Sequence, residues 1–234
     1  MACFYRETWQ ADYQMIVVDL PGHGKTKTPP KDMEACCSDL HALFHYLKLD
    51  SFHLAGYSMG GRTALSYAMQ YPKDLHSLIL ESASPGLADK QEQAKRRDQD
   101  EKLASWLEKE GLVPFVDYWE NMPLFQTQRR LPKEKQRTIR NERLNQQVEG
   151  LSNSLKHMGT GKQPNWWPHL FKVKIPVLLL AGELDEKFIA INKRMAKQLP
   201  KAKLEIIKQA GHAIHVEQSE VFGKIVHGFI QSIT

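Results

Sequence analysis

Phe52-His53-Leu54-Ala55-Gly56-Tyr57-Ser58-Met59-Gly60 is the stretch that decides how this chain is read. A short apolar run (Phe52, Leu54, Ala55) leads into Gly56, and a helix-like run (Arg62, Ala64, Leu65, Tyr67, Ala68, Met69) follows Gly60. A serine at a strand-to-helix turn, with glycine two before and two after, has the pattern of a nucleophile elbow. Such a turn is too tight for side chains at Gly56 and Gly60. It lifts the serine hydroxyl clear of a sheet and puts the following backbone N–H groups at a helix N-terminus, where negative charge is favoured. A surface turn that happens to contain glycines gives the same five letters, so the motif has to be weighed with its surroundings.

Outward from the elbow, the chain alternates. Met15–Val18 is a short apolar, β-branched run ending at Asp19, the signature of a buried strand, and Leu20-Pro21-Gly22-His23-Gly24 breaks it. Leu40, Leu43, Phe44 and Leu47 recur at helical spacing within 33–49, residues 61–71 form the next helix, and Ser77–Leu80 another strand. Strand and helix alternating at this pace predict a parallel sheet with crossover helices, an α/β fold. From about Ser82 to Lys174 the alternation stops. This segment is polar and charge-dense at Gln91–Lys102, yet aromatics recur (Trp106, Phe115, Tyr118, Trp119, Phe125, Trp166, Trp167), which favours a packed helical insertion over disorder. The rhythm then returns with strands at Val177–Ala181 and Leu204–Ile207 and helices at Phe188–Leu199 and Val221–Ile233. The division is a core segment 1–82 with the elbow at 56–60, a helical lid 83–174, and a second core segment 175–234. No internal repeat or low-complexity segment is present.

Composition sets outer limits. A chain of 234 residues suits one large domain, or one domain with an insertion. The net charge of +5 is mild, and Lys and Arg are dispersed without an aromatic-interleaved stripe, which argues against a nucleic-acid partner. Cys3, Cys36 and Cys37 have no metal-like spacing and suit reduced thiols in a cytoplasmic protein. The first residues lack a basic-then-apolar signal pattern, and no apolar run approaches the ~20 residues needed to cross a bilayer.

A serine nucleophile needs a base to take its proton and an acid to orient that base. In a parallel sheet these belong in loops at the carboxyl ends of strands. Asp185, in Gly182-Glu183-Leu184-Asp185, follows the Val177–Ala181 strand. His212, in Ala210-Gly211-His212, follows the Leu204–Ile207 strand. The order Ser58, Asp185, His212 is that of α/β-hydrolase triads, a far more specific match than the elbow alone. Glu183, Glu186 and His215 compete on position, with His215 expected to pack or cap the last helix; His23 is expected to be structural. Arg62 lies four residues after Ser58, one helical turn on and on the same face. An apolar acyl pocket has no use for a guanidinium there, whereas a substrate carboxylate binds one bidentately; a salt bridge to a lid acid is the alternative.

The chain resembles a known family in several stretches. They are Asp19–Gly24, Gly56–Arg62, Glu81-Ser82-Ala83-Ser84-Pro85-Gly86-Leu87, Gln93–Asp98, Trp119–Phe125, Gly182–Phe188 and Ala210–His212. These are similar to the menaquinone-pathway synthases of 2-succinyl-6-hydroxy-2,4-cyclohexadiene-1-carboxylate, with the pattern nearest to Bacillus-like Gram-positive members. The likeness runs from about Tyr13 to the C-terminus. It implies an α/β-hydrolase fold working as a lyase that removes pyruvate from 2-succinyl-5-enolpyruvyl-6-hydroxy-3-cyclohexene-1-carboxylate, without an acyl-enzyme. It further implies that Ser58, activated by His212 and Asp185, abstracts a ring proton, and that the backbone N–H of Met59 serves the oxyanion. Arg62, Arg96 and Arg143 match positions that bind substrate carboxylates. Trp119 matches a lid aromatic over the pocket, and Tyr57 sits beside the nucleophile. No cofactor or metal is implied. The partner is a small polycarboxylate rather than nucleic acid or membrane, and the protein is a monomer or weak homo-oligomer.

The family pattern also has strands, and a His-Gly-Phe-type loop giving an oxyanion N–H, ahead of the Asp19 strand; this chain has neither. The strand expected between Met15–Asp19 and the elbow strand is therefore missing. Its absence should leave a gap in the sheet with unpaired backbone groups, at several kcal/mol. Loss of one oxyanion donor, often ~10²–10³ in turnover, should follow. Either the first residue is internal to a longer natural protein or the chain is a degraded copy, and poor folding or much reduced activity is the expectation. Two other readings stay open: a carboxylesterase or acyl hydrolase using the same triad, and an inactive truncated copy.

Overall fold

The structure is a computed structural model that describes residues 13–233. Along the chain these form α1 (Met33–Tyr46), β1 (Phe52–Tyr57), α2 (Met59–Gln70), β2 (Leu75–Glu81), α3 (Lys90–Glu110), α4 (Leu112–Glu120) and α5 (Lys133–Leu144). There follow α6 (Val148–Met158), β3 (Val177–Gly182), α7 (Glu186–Ala196), β4 (Ala202–Ile207), α8 (Ile214–Glu217) and α9 (Ser219–Gln231), with 3₁₀ segments at Pro72–Asp74, Pro123–Arg130 and Trp167–Lys172. Two compact units result. Within the described residues, one comprises the chain up to Val18, Lys48–Ser84 and everything from His169 on; the other comprises Asp19–Leu47 and Pro85–Pro168.

The first unit is built on a four-stranded sheet, ordered β1-β2-β3-β4 and parallel throughout. Every residue of β3 is buried, as is every residue of β2 except His76, so both faces of the sheet centre are covered. Continuous apolar runs such as Val177–Ala181 are what that environment requires. One face is closed by α9, whose Phe222, Val226, Phe229 and Ile230 recur at helical spacing and pack with Ile79, Leu178, Leu180 and Ile207. The final helical stretch is in two pieces, because Gln218, at φ −136° and ψ 55°, leaves helical geometry and separates α8 from α9.

The Met15–Val18 strand is not formed: these residues make no ladder, and Met15, Ile16 and Val17 are 37, 43 and 55% exposed. A strand exists only through its neighbour, and among the described residues none pairs with this run. β1 is consequently an edge strand among the described residues, partly exposed along its length.

The second unit is helical. The charge-dense Gln91–Lys102 stretch is ordered within α3, which begins where the Asp89 carboxylate accepts the Glu92 N–H at 2.8 Å and ends at Gly111, at φ +85°. Its apolar side meets α4 and α6 in a cluster of Leu107, Phe115 and Val116, bordered by Trp106, Trp119 and Leu151. Residues 19–47 group with this unit rather than with the core segment that precedes the elbow, because α1 packs Met33 and Cys36 with Met158 and Leu20. Among the described residues no helix is long and apolar enough to cross a membrane.

Candidate active site

Ser58 caps the junction between β1 and α2, with φ +48° and ψ −108°. L-residues adopt that conformation only under strain, which the surroundings must hold in place. They do so through the backbone: the Ser58 N–H donates to the Glu81 carbonyl at 2.8 Å, and the Ser58 carbonyl accepts the Arg62 N–H at 2.9 Å. The glycines explain the tightness, with one correction to the motif. A Cβ on Gly56 would lie 2.4 Å from the Gly60 carbonyl oxygen, and one on Gly61 would lie 2.5 Å from the Ala83 Cβ, whereas one on Gly60 would meet nothing within 4 Å. Steric need falls on Gly56 and Gly61; Gly60 matters through its carbonyl.

Asp185 and His212 arrive from the far half of the sheet. Asp185 follows β3 and caps α7, one carboxylate oxygen accepting the Phe188 N–H at 3.3 Å. Its other oxygen, Oδ2, lies 2.7 Å from His212 Nδ1, and His212 Nε2 lies 3.0 Å from Ser58 Oγ. The imidazole donates from Nδ1 and accepts the seryl proton at Nε2, the tautomer a general base needs. His212 is 1% exposed and Asp185 8%, so water competes little for these bonds. The rings of Tyr57 and Phe188, with centroids 5.3 and 4.7 Å from that of His212, fix the imidazole plane.

Met59 is the first residue of α2, so its N–H stands at a helix N-terminus directly after Ser58, a position suited to an oxyanion donor. Arg62 sits one turn further along the same helix. The structure therefore brings Ser58, Met59, Tyr57, Arg62, Asp185 and His212 together in the first unit. Arg96, Trp119 and Arg143 belong to the second, and each has partners there. Arg96 Nε donates to Asp100 Oδ1 at 2.8 Å. Arg143 donates to Gln128 at 2.9 Å, pairs with Glu120 at 3.3 Å and lies 5.1 Å over the Phe125 ring. Trp119 stacks on Phe115, with centroids 5.4 Å apart.

The competing groups are accounted for. Glu183 accepts the Gln209 N–H at 2.9 Å, Glu186 sits in the first turn of α7, and His23 Nδ1 donates to the Pro21 carbonyl at 3.1 Å in the second unit. Burial holds His23 below the usual histidine range. Among the described residues no group of three or more His, Cys, Asp or Glu side chains is placed to hold a metal ion.

Sequence reasoning missed Phe188, Glu217 and Glu81. Glu217 accepts the N–H groups of Gly211 and Ala213, on either side of His212, at 2.7 and 3.3 Å. Glu81 is 1% exposed and receives both the N–H and the Nδ1 of His215, at 3.0 and 2.9 Å. Its local signal is a carboxylate closing an apolar strand, which by itself marks no more than a strand end.

Known proteins resemble this chain over most of its length. The family model for the alpha/beta hydrolase fold matches residues 5–219. A relative from Bacillus subtilis (strain 168), assigned as a 2-succinyl-6-hydroxy-2,4-cyclohexadiene-1-carboxylate synthase, is 46% identical over 226 residues, covering 95% of this chain and 82% of that protein. The synthase of the same name from Photorhabdus laumondii is 31% identical over 222 residues, covering 94% of this chain and 77% of that one. The solved structure of MenH from S. aureus superposes with a TM-score of 0.94 at 41% identity, covering 97% of this chain and 86% of that one. A serine, histidine and aspartate joined in sequence at the carboxyl edge of a parallel sheet, in a chain this similar to those synthases, leave one assignment: the chain belongs to the α/β-hydrolase family and, within it, to the 2-succinyl-6-hydroxy-2,4-cyclohexadiene-1-carboxylate synthases.

Proposed function

We propose that the protein is a lyase of menaquinone biosynthesis. It converts 2-succinyl-5-enolpyruvyl-6-hydroxy-3-cyclohexene-1-carboxylate to 2-succinyl-6-hydroxy-2,4-cyclohexadiene-1-carboxylate and pyruvate. The observation that carries the proposal is the unbroken path from Asp185 Oδ2 through His212 to Ser58 Oγ, at 2.7 and 3.0 Å, in a chain 46% identical to a synthase of that name.

The bond changes follow from the two names. The ring double bond at position 3 becomes double bonds at 2 and 4 while the substituent at position 5 leaves, so the proton departs from C2, beside the succinyl ketone. Ser58 gives its proton to His212 Nε2 and takes the C2 proton, and the C2 electrons form the C2=C3 bond. The original double bond shifts to C4=C5, the C5–O bond breaks, and enolpyruvate leaves. The imidazolium, held by Asp185, returns its proton to the leaving group, which becomes pyruvate. Charge accumulates on the ketone oxygen as the C2–H bond breaks, and a helix N-terminal N–H such as that of Met59 is suited to meet it. Arg62, Arg96 and Arg143 are proposed to take the substrate carboxylates, with Trp119 and Tyr57 as aromatic contacts. The reading extends to a cytoplasmic site of action and a monomer or weak homo-oligomer, and needs no cofactor.

The test is pyruvate release from the enolpyruvyl substrate, followed by coupled NADH oxidation, for wild type, Ser58→Ala and Arg62→Ala. Wild type should turn over, Ser58→Ala should lose at least ~10³-fold in kcat, and Arg62→Ala should lose ~2–4 kcal/mol of transition-state stabilisation. Accumulation of an acyl-Ser58 species during turnover would instead make the protein an esterase that shares the triad.

A further inference from the structure

Behind the triad lies a second carboxylate–histidine pair that the reaction above does not use. Glu81 and His215 are 1 and 2% exposed. The Glu81 carboxylate accepts the His215 main-chain N–H at 3.0 Å, and each of its oxygens lies 2.9 Å from His215 Nδ1, so both donors on one residue converge on one acceptor. The main-chain carbonyl of the same Glu81 accepts the Ser58 N–H at 2.8 Å. One residue thus grips the nucleophile's backbone with its carbonyl and the base's loop with its side chain. Tyr57 closes the figure: its ring lies edge-on to His215 at 4.7 Å and tilted against His212 at 5.3 Å. With Glu217 holding Gly211 and Ala213, carboxylates take three backbone N–H groups of the segment 211–215.

We infer that Glu81 and His215 are positioning residues, which set the spacing of Ser58 Oγ and His212 Nε2 by tying the elbow and the histidine loop to one point at the end of β2. Stability alone is a poor reason to keep such a pair. A buried ionic pair commonly adds little over apolar side chains of the same volume, and removing only one partner strands a buried charge. The arrangement at Glu81 is suited to geometry: misplacement of a reacting group by about 1 Å can cost on the order of 10²-fold in rate. Ser58, Asp185, Tyr57 and Phe188 face His212, and Tyr57 also touches His215. Positional error at the pair therefore reaches the imidazole through the loop and through the Tyr57 ring.

The inference rests on the proposed reaction for its kinetic readout, so a second readout that needs no substrate accompanies it. The decisive variant is Glu81→Leu with His215→Phe, which removes the pair at similar volume and leaves no buried charge unpaired; Glu81→Leu and Glu81→Gln are measured beside it. The double variant leaves the main-chain N–H of residue 215 without its carboxylate acceptor, so it is expected to stay folded but melt up to ~10 °C below wild type, and to lose ten- to a hundredfold in kcat with KM within about twofold. Glu81→Gln keeps an oxygen for both donors and should recover most of the loss. In proton NMR without substrate, the resonance of His212 Nδ1–H, donated to Asp185, should shift or broaden in the double variant and return toward its original position in Glu81→Gln. A folded double variant with wild-type kcat and an unmoved resonance overturns the positioning role, as does a loss confined to melting temperature. A wild-type protein that releases no pyruvate counts against the proposed reaction alone, and the resonance still decides the role of Glu81 and His215.

Discussion

Asp185 and His212 meet at 2.7 Å between the ends of β3 and β4, with both side chains almost fully withdrawn from water. In the proposed reaction that one contact decides which imidazole nitrogen is free to take the proton of Ser58. Asp185→Asn keeps the shape and removes the charge, and it offers an amide N–H toward Nδ1 that favours the opposite tautomer. We expect kcat to fall ~10³–10⁴-fold while KM for the enolpyruvyl substrate changes little. Retention of even a tenth of wild-type turnover would remove the orienting role.

The strained backbone at Ser58, at φ +48° and ψ −108°, should be visible as stability that the protein forgoes. Glycine tolerates this conformation without penalty, although its unfolded state is more flexible. Ser58→Gly is therefore expected to abolish turnover and to raise stability by ~1 kcal/mol, read as a higher urea midpoint at unchanged slope. A lower midpoint would mean that the Ser58–His212 contact outweighs the strain.

Neighbouring glycines on α2 should behave in opposite ways. Gly60→Ala meets open space and gains helix propensity, so up to ~1 kcal/mol of added stability is expected. Gly61→Ala drives a Cβ to 2.5 Å from that of Ala83 and 2.8 Å from the Gly56 carbonyl oxygen, and overpacking of this kind costs ~1–3 kcal/mol or more. Thermal melts of the two single variants check the contrast, and equal effects would refute it.

Histidine burial predicts how stability responds to mild acid. His23 and His53 are both held below the ordinary histidine range, chiefly because burial disfavours the charged ring, with His76 adding repulsion at His53. In the unfolded chain both rings protonate as pH falls through about 6.5, before the folded state can follow. Their contribution is thus present above that pH and lost as pH falls toward the folded values. The double variant His23→Gln, His53→Gln should show a smaller drop in urea midpoint between pH 7.5 and 5.5 than wild type. A drop as large as that of wild type would assign the acid sensitivity to other groups.

Much of the site was legible because its parts stand at strand ends. Ser58 follows Phe52–Tyr57, Asp185 follows Val177–Gly182 and His212 follows Ala202–Ile207, and period and turn residues mark each strand. What escaped depended on neighbours rather than on local pattern. Met15–Val18 has the composition of a buried strand, yet composition does not say whether a partner strand is present to pair with it. Glu81 closes an apolar run, and a single carboxylate there looks like a strand end until His215 is seen to face it. Gly61 looks like one more helix residue, because the Ala83 Cβ that forbids a side chain there comes from the loop just after β2.

The order β1-β2-β3-β4 carries a further meaning for how activity appears during folding. Tyr57 is opposite Glu81, Glu81 opposite Leu180, and Gly182 opposite Ile207, so the groups that surround Ser58 are indexed to one another by ladder register. A slip of one residue in any pairing moves a strand by about 3.3 Å and turns its side chains to the opposite face. A slip between β1 and β2 would take from Ser58 the Glu81 carbonyl that holds it, and a slip of β2 against β3 would turn Glu81 away from His215. Turnover is accordingly expected to require the aligned sheet as a whole. As the chain refolds, activity should return with the last correctly aligned strand pair, and a sheet aligned in only part of its width should have none.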